Sequence, residues 1–422
     1  MRILISTVGS HGDVLPFISL ANEFIKNGDE VIFYANPFFK TMIFDKQIKF
    51  VEIETIDEYN KIFKNVENKN PTKSFKLIAS EIMRLCPIYY EAMKNDILEN
   101  HTISITNSLL FSARLLEETH NIPCVTIPLS PSIFRSNQNP ARLNPSWIKK
   151  ETPEFIKNIS WCLLDKLFYE PNFNKPLNII RKKYGLKEVK RIFKSWIHES
   201  NLVIGLFPSW FAKPQSDWVS NINLIDFPLD DNSKYISLSQ EVLDFIKSKD
   251  TPIVVFSAGT ATANDNEFFK TSIKACKELD IRAIFLTHFK EQIPANLPKN
   301  IIHIEYAPFS LLLPKVDLFV HHGGIGSTSQ ALKASVPQLI RPVAYDQFDN
   351  SSLAVNLGVA KEILIKNYNV KNIVSSINEI LNIDTYKNNA KLVAKNFTEE
   401  NSMQKVCELI LEKYKKENIK YV

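Results

Sequence analysis

The chain has 422 residues, of which 45% are hydrophobic and 11% aromatic, and its formal net charge is +5. This length and apolar content allow two ordinary hydrophobic cores, and the small, dispersed charge excess argues against a nucleic-acid-binding protein. The five cysteines are odd in number, widely spaced and without a CxxC pair, which predicts a reducing compartment and no zinc site.

The N-terminus predicts a cytoplasmic protein. Its apolar stretch is too short for a signal peptide because Gly9-Ser-His-Gly-Asp interrupts it, and no apolar run approaches the roughly 20 residues of a membrane span. A cluster of basic residues from Arg181 to Lys194 precedes Trp196 in the sequence. Two interpretations stay open for it: a solvated helix face, or peripheral contact with an anionic membrane surface, which would place the protein at the inner face of the membrane.

In chain order, the first half predicts alternating strands and helices. Residues 2–8 predict a buried strand, 14–27 a helix that Gly28 terminates, and 30–34 a second strand. By the handedness rule this βαβ unit begins a parallel sheet. Further strands are predicted at 50–53, 103–106, 124–127 and 202–206, with an aromatic, helical region between about 131 and 198.

A second strand series begins at Pro252 and continues at 283–286, 301–304, 318–320 and 338–340. Two such series predict an α/β protein with two Rossmann-like domains facing each other across a cleft. The expected organisation is an N-terminal Rossmann-like domain over 1–228, a linker over 229–250, a C-terminal Rossmann-like domain over 251–395, and a C-terminal helix over 396–422 for which we consider a return to the first domain.

Glycine usage indicates where a ligand binds. The chain has only ten glycines, about a third of the usual frequency of roughly 7%, and six of them lie in three loops that each follow an apolar strand. These are Gly9 and Gly12, Gly259, and Gly323, Gly324 and Gly326. Open α/β sheets bind ligands at this end of their strands. A helix predicted from Ser327 to Ala334 follows the triple-glycine turn, and its unpaired amides and dipole predict a bound phosphate or diphosphate.

Four motifs are similar to the nucleotide-sugar glycosyltransferases of family 1, which have the GT-B fold. The main signature runs from Glu305-Tyr-Ala-Pro-Phe-Ser through the triple-glycine turn to Asp346-Gln-Phe-Asp-Asn; shorter matches are Gly9-Ser-His-Gly-Asp-Val-Leu-Pro-Phe, Pro208-Ser-Trp-Phe-Ala-Lys-Pro-Gln-Ser-Asp-Trp and Ile225-Asp-Phe-Pro-Leu. The chain most resembles the bacterial branch that includes rhamnolipid rhamnosyltransferases and, more distantly, macrolide and sterol glycosyltransferases.

The resemblance implies that the C-terminal domain, 251–395, binds the nucleotide-sugar donor and that the N-terminal domain, 1–228, binds the acceptor. It implies that His322 touches the diphosphate, that Tyr306 stacks on the base, and that Asp346 and Gln347 bind sugar hydroxyls. Ser327, with the amides of Gly324 and Gly326, would form the phosphate-binding helix start, and Ser257, Gly259 and Thr260 a second diphosphate contact. Gln330 stands where plant members have a ribose-binding glutamate, so both UDP- and dTDP-sugars stay open. His321 is expected to be structural.

For the acceptor hydroxyl, the resemblance favours Asp13 as the base, because Gly12-Asp13-Val-Leu-Pro16 matches the family's Gly-His-x-x-Pro. An unperturbed aspartate is a weak base at neutral pH, so His11 remains an alternative, and Asp13 as a helix N-cap is another. No Asp-x-Asp, HExxH or GxxxxGK[ST] motif occurs, so we expect metal-independent chemistry without a cofactor. The resemblance implies direct displacement by the acceptor oxygen, which would invert the anomeric centre.

Three other functions compete with hexosyl transfer. A nicotinamide-dependent oxidoreductase would explain why Asp346 follows Gly326 by 20 residues, but Ser329 replaces the third glycine of that fingerprint. A nucleotide-sugar epimerase on the same fold and a donor-binding protein without turnover are the others. Residues 75–92 and 155–180 are apolar and aromatic, which suits either a hydrophobic or lipid acceptor or ordinary core helices.

Overall fold

The computed structural model describes residues 1–65, 71–144, 148–231, 233–247, 251–260, 265–398 and 400–418. Parts of the predicted linker, donor domain and C-terminal helix, at 232, 248–250, 261–264, 399 and 419–422, lie outside the described residues. The chain divides into two compact units, the first comprising Met1–Ala141, Ile148–Pro228 and Glu400–Val422, and the second Arg142–Trp147 and Leu229–Glu399.

The first unit is a parallel sheet of seven strands in the order β3-β2-β1-β4-β5-β6-β7. Its strands are β1 (Arg2–Ser6), β2 (Glu30–Ala35), β3 (Lys49–Glu52), β4 (Thr102–Asn107), β5 (Cys124–Ile127), β6 (Leu202–Leu206) and β7 (Ile222–Ile225). Its helices are α1 (His11–Lys26), α2 (Ile56–Asn65), α3 (Pro71–Lys94), α4 (Ser112–His120), α5 (Glu154–Leu164) and α6 (Lys175–Lys183). A π-helical stretch, Asp165–Asn174, joins α5 directly to α6.

Strand β1 is buried on both faces, which explains its uninterrupted apolar sequence. Ile3 and Ile5 belong to the core that contains α1, whereas Leu4 belongs to the core that contains α3 and α4. Successive side chains of a strand point to opposite faces, so helices must cover both sides of this sheet.

The second unit is a parallel sheet of six strands in the order β10-β9-β8-β11-β12-β13. Its strands are β8 (Ile253–Ser257), β9 (Arg282–Leu286), β10 (Ile301–Ile304), β11 (Leu318–His321), β12 (Gln338–Ile340) and β13 (Ala360–Glu362). Its helices are α7 (Gln240–Lys247), α8 (Asn266–Leu279), α9 (Phe309–Leu312), α10 (Ile325–Lys333), α11 (Gln347–Asn356), α12 (Val370–Asn382) and α13 (Asp384–Ala394). The prediction of two parallel α/β units is confirmed.

The structure differs from the predicted linker. Residues from Leu229 onward belong to the second unit, and α7 packs through Val242 and Phe245 onto the core around Val255. The polar turn formers after Pro228 concealed an amphipathic helix whose apolar positions need a partner surface.

The last helix, α14 (Ser402–Asn418), packs on the first unit. Met403, Val406 and Ile410 join the core beside α1, and Ser402 Oγ donates to the Phe227 carbonyl at 3.0 Å. The chain therefore returns to the unit in which it began.

Candidate active site

The glycine loops of the second unit meet at one point of its sheet. Strand β8 pairs with β11, and the chain then leaves β8 toward β9 on one side and β11 toward β12 on the other. His321 pairs in register with Ser257 at the ends of these strands. The loops after β8 and β11 thus flank the topological switch point, where open α/β sheets have their binding crevice.

The glycines of the triple-glycine turn differ in the space around them, and Gly323 is one that the turn requires. Gly323 has φ of +92°, and a Cβ there would lie 2.8 Å from Ile340 Cγ2. Helix α10 begins at Ile325, two residues before the predicted start, with Gly324 as N-cap. A Cβ at Gly326 would meet nothing within 4 Å, so this glycine leaves open space beside the first amides of α10, whose N–H groups have no intrahelical partner.

The His322 ring lies between two glycines. A Cβ on Gly259, whose φ is +94°, would lie 2.7 Å from the ring, and one on Gly324 would lie 2.5 Å from Nε2. Any larger residue would displace the imidazole. Gly259 and Gly324, predicted as diphosphate contacts, therefore also fix the histidine predicted beside them.

His322 is held in its neutral form. Burial, with a smaller effect of the Arg341 charge, lowers its pKa to about 4. Its Nδ1 is buried and has no hydrogen-bond partner among the described residues. A neutral imidazole offers one N–H donor and one acceptor, so near neutral pH this ring can donate a hydrogen bond without carrying a charge.

His321 is structural, and its hydrogen bonds define its tautomer. Nδ1 accepts from Gly323 N at 3.1 Å, which leaves Nε2 to donate to Gln338 Oε1 at 2.9 Å. The ring is fully buried and stacked on Phe319, and burial lowers its pKa to about 3. Both ring nitrogens are used inside the fold.

Asp346 and Gln347 stand at the start of α11, next to the triple-glycine turn. Gln347 Oε1 accepts from Val343 N at 2.8 Å and Ala344 N at 3.1 Å. The structure thereby limits the prediction for Gln347, because a sugar hydroxyl could use only its Nε2 group. Tyr345 precedes the pair with φ of +56°, a strained conformation for a non-glycine residue.

Asn350 joins these two elements, and sequence reasoning missed it. Its Nδ2 donates to the Gly323 carbonyl at 3.0 Å and to Asp346 Oδ2 at 2.8 Å, and the residue is fully buried. Its position one helical turn after Asp346 was the available signal, since residues four apart share a helix face.

We expect Asn350→Ala to lower the stability of the second unit by about 1–3 kcal/mol, because it leaves the buried Gly323 carbonyl without a donor. It should also weaken donor binding, since the turn and Asp346 lose their shared anchor. Urea unfolding and a donor titration measure the two effects. Asn382→Ala, at an exposed amide that bonds only within its own helix, serves as the control, and equal effects of the two variants would contradict the positioning role.

Tyr306 and Gln330 both donate hydrogen bonds to the backbone of residues 229–231 in the second unit. Tyr306 OH donates to the Asp231 carbonyl at 2.8 Å, and Gln330 Nε2 donates to the Leu229 carbonyl at 2.8 Å. The Tyr306 ring is partly exposed and nearly parallel to His288 at 6.3 Å. One of the two amide N–H donors of Gln330 is therefore committed to the backbone.

Ser257 and Thr260 occupy the loop after β8. Ser257 is buried and its Oγ accepts from Gly259 N at 3.4 Å, whereas Thr260 is exposed. Ser327, in the first turn of α10, is partly exposed. The second unit thus brings Ser257, Gly259, His322, Gly324 and Ser327 to one strand-end region.

In the first unit, Asp13 lies in the first turn of α1, directly after the loop that follows β1. Its Oδ2 accepts from Ser10 N at 2.8 Å and from Ser10 Oγ at 3.0 Å. Ser10 is the N-cap of α1, which begins at His11, so the alternative of Asp13 as N-cap is wrong: Asp13 is the third helical residue and binds back to the cap. A Cβ on Gly9 would lie 2.4 Å from Asp13 Oδ2, so only glycine leaves room for the carboxylate.

Burial raises the pKa of Asp13 above its ordinary value of 3.8, and the two hydrogen bonds from Ser10 partly oppose that rise. The carboxylate is therefore a stronger base than an exposed one. His11, two residues earlier, is buried with its ring edge-on to Phe38 at 5.4 Å and to Phe39 at 5.6 Å. Both predicted bases thus lie at the N-terminus of α1.

Asn107, at the end of β4, braces the loop before Asp13. Its Nδ2 donates to Thr7 Oγ1 at 3.1 Å and to the Val8 carbonyl at 2.8 Å. Strand β4 is the neighbour of β1 opposite β2, so this loop also lies at a topological switch point.

Within the described ranges, no group of three or more His, Cys, Asp or Glu residues is arranged to hold a metal ion. The same residues include no helix with the length and apolar character needed to cross a membrane.

Two family models match the chain. Residues 3–92 match the glycosyltransferase family 28 N-terminal domain, and residues 272–412 match the erythromycin biosynthesis protein CIII-like C-terminal domain. The first match includes His11 and Asp13, and the second includes the triple-glycine turn with Asp346 and Gln347, whereas Ser257, Gly259 and Thr260 lie outside both matches.

Two sequence relatives cover nearly the whole chain. The chain is 23% identical to a sterol 3-beta-glucosyltransferase of Saccharomyces cerevisiae (strain YJM789) over 94% of its own length, but it spans only about a third (34%) of that relative. It is 21% identical to the uncharacterized UDP-glucosyltransferase YojK of Bacillus subtilis (strain 168), over 98% of each chain.

Solved structures share the fold over both units. The glycotransferase of kitacinnamycin superposes with a TM-score of 0.74 at 17% identity, covering 97% of this chain and 98% of its own. The spinosyn rhamnosyltransferase SpnG, complexed with thymidine diphosphate, superposes with a TM-score of 0.68 at 14% identity over 97% and 100%. With the strand-end glycine loops of both units, these matches place the chain in family 1 of the nucleotide-sugar glycosyltransferases, with the GT-B fold.

Proposed function

We propose that this protein transfers a hexose from a UDP- or dTDP-sugar to a hydroxyl group of a small hydrophobic acceptor, with inversion at the anomeric carbon and without a metal ion. The observation that carries the proposal is the neutral His322 ring, fixed between Gly259 and Gly324 beside the free amides of α10. This arrangement suits a diphosphate, because it joins a helix N-terminus to an uncharged hydrogen-bond donor.

The second unit would stabilise the departing diphosphate. The first amides of α10, with Ser327, would bind its oxygens, and His322 would donate one hydrogen bond as negative charge develops there. Ser257, Gly259 and Thr260 would contact the diphosphate from the loop after β8. Stabilising charge that appears in the transition state lowers the barrier more than binding the intact donor does.

The remaining predicted residues would orient the donor. The partly exposed ring of Tyr306 offers a surface for the base, and Gln330 is proposed to face the ribose. Asp346 and the Nε2 group of Gln347 would bind sugar hydroxyls. None of these contacts distinguishes uracil from thymine, so both UDP-sugars and dTDP-sugars are proposed as donors. The thymidine diphosphate complex of the similar SpnG supports including dTDP-sugars.

The first unit would supply the base. As the acceptor oxygen bonds to the anomeric carbon, the bond from that carbon to the diphosphate oxygen breaks and the hydroxyl proton passes to Asp13. Attack from the face opposite the leaving group inverts the centre. The raised pKa of Asp13 favours this role, since a base works best with a pKa nearer the working pH.

The acceptor class rests on the relatives. One similar protein is named for sterol glucosylation and another for spinosyn, and the chain spans about a third of the sterol enzyme. We propose a hydrophobic alcohol of comparable size, such as a sterol or a macrolide aglycone.

Thermal unfolding with a panel of UDP- and dTDP-sugars tests the donor assignment. A donor at 100 times its Kd stabilises the native state by about 2.7 kcal/mol, so the matching donor should raise the melting temperature clearly. Release of nucleoside diphosphate and formation of a glycoside with ergosterol or a macrolide aglycone would then test transfer. A donor altered at one carbon without an acceptor-linked product would indicate an epimerase, and no shift with any donor would contradict the proposal.

A further inference from the structure

One long helix of the first unit presents apolar side chains to solvent. Helix α5, the π-helical stretch and α6 form an uninterrupted helix over 154–183. Four large apolar residues follow one another at steps of four along its first half. They are Phe155, Ile159, Leu163 and Leu167, exposed by 65%, 55%, 51% and 61%. Residues four apart lie on one side of a helix, so these side chains, hereafter the apolar stripe, form one continuous surface.

The buried side of the same helix is mixed: Trp161, Phe173 and Leu177 are buried together with the charged residues Lys157 and Arg181. Lys157 is buried, and its Nζ donates to the carbonyls of Asn137 at 2.7 Å and Lys150 at 2.6 Å. Asp165 forms a bidentate ion pair with Arg135. Leaving the four large side chains of the stripe in water forgoes the free energy of burying them, and a partner that covers the stripe would restore it.

The second half of the helix is basic on its exposed side. Ile179 is 73% exposed and is surrounded at helical spacing by Lys175, Lys182 and Lys183, all exposed. The basic cluster predicted from the sequence is partly dismantled by the fold: Arg181 is buried and pairs with Glu118, and Trp196 is buried beneath it. The aromatic residue expected at the interface is therefore absent from this surface, and the exposed lysines remain.

The exposed surface of the helix changes from apolar in its first half to basic in its second half, and this order favours one kind of partner. An apolar stripe that ends in a lysine-rich surface matches the boundary of a bilayer, where acyl chains lie below anionic headgroups. A purely apolar partner would leave the lysines unmatched, and a purely anionic one would leave the stripe in water.

We propose that the helix over 154–183 docks on the surface of an anionic membrane, with the apolar stripe at the headgroup boundary and Lys175, Lys182 and Lys183 against lipid phosphates. The helix would lie along the surface, because its exposed apolar residues and its exposed lysines are distributed along its length. This docking is independent of the proposed transfer reaction and would hold even for an inactive protein.

Co-sedimentation of the full chain with vesicles tests the proposal. We expect binding to phosphatidylcholine vesicles that contain phosphatidylglycerol, at least tenfold weaker binding to phosphatidylcholine alone, and loss of binding as salt is raised. The combined variant Phe155→Ser, Ile159→Ser and Leu163→Ser should reduce the partition coefficient at least tenfold. Its melting temperature should not fall, because these side chains are exposed.

Two matched controls separate the surface from general effects. Leu392→Ser with Ile383→Ser changes similarly exposed apolar residues of the second unit, at 58% and 46%. The second control, Lys387→Gln with Lys391→Gln, changes exposed lysines of the second unit. Its vesicle binding is compared with that of Lys182→Gln with Lys183→Gln, which changes lysines of the proposed docking surface. Both controls should bind vesicles like the parent.

Three results would overturn the proposal. The first is that the parent protein stays in the supernatant with anionic vesicles, and the second is that the stripe variant binds them as well as the parent. The third is that the parent is a dimer without vesicles and the stripe substitutions convert it to a monomer, which would assign the stripe to a second copy of this chain.

Discussion

Replacing His322 with alanine should abolish the donor-induced rise in melting temperature and lower turnover by about 10²-fold or more, the usual loss when a donor to developing negative charge is removed. The physical reason is the fixed position of the ring between Gly259 and Gly324. Because burial lowers the pKa of His322 to about 4, we expect no change in this contribution between pH 6 and pH 8.

Gly259→Ala is the companion variant. It keeps the imidazole but places a methyl group 2.7 Å from the ring at a backbone φ of +94°, so it should reproduce much of the His322→Ala loss. His101→Ala removes an exposed imidazole of the first unit and should leave the donor-induced shift unchanged. A full shift in His322→Ala would sink the assignment of this ring to the diphosphate.

Asp13→Asn should differ from His322→Ala in donor binding: the donor-induced shift in melting temperature stays. Turnover should fall by about 10²- to 10⁴-fold, the range for loss of a general base. Asparagine keeps an oxygen that can accept from Ser10 N, so the start of α1 should remain intact. A variant that binds donor and does not turn over would separate the chemistry from donor binding.

The pH profile gives an independent check on Asp13. Its raised pKa means that the carboxylate becomes protonated, and unable to accept a proton, at a higher pH than an ordinary aspartate. The acid limb of kcat/KM should therefore lie at a higher pH than an ordinary aspartate would give. Ser10→Ala removes one hydrogen bond that lowers this pKa, so it should move the limb to still higher pH while costing about 1 kcal/mol of stability.

If Asp13→Asn turns over like the parent, Asp13 is not the base. His11→Gln then becomes the decisive variant, since His11 lies at the same helix start, and loss of turnover there would transfer the role to the imidazole. Parent turnover in both variants would remove the proposed base from this part of the first unit.

Strand positions were predictable in this chain because parallel strands buried on both faces appear as short, continuous apolar runs. Strands β1 and β11 were visible in this way. The edge strands β7 and β13 were not predicted: Ile222–Ile225 is only partly buried and Ala360–Glu362 carries two charged residues. An edge strand has one neighbour and less need for apolar residues on both faces.

Side-chain commitments inside the candidate site could not be predicted. Asn350 bonds to Gly323, 27 residues away, and Gln330 bonds to Leu229, 101 residues away. Such pairs depend on how helices lie against the sheet, and no local periodicity encodes a specific contact at that separation.

By itself the sequence determined which strand ends carry the glycine loops, because scarce glycines at the ends of apolar strands indicate places where the backbone passes close to another group. Tertiary structure decided what those glycines approach and which polar groups are already used. It placed the His322 ring between two of them and engaged both ring nitrogens of His321 in hydrogen bonds within the fold. It also left the apolar stripe of a long helix exposed to solvent. Each of these outcomes depends on contacts between residues distant in sequence, which only the folded chain brings together.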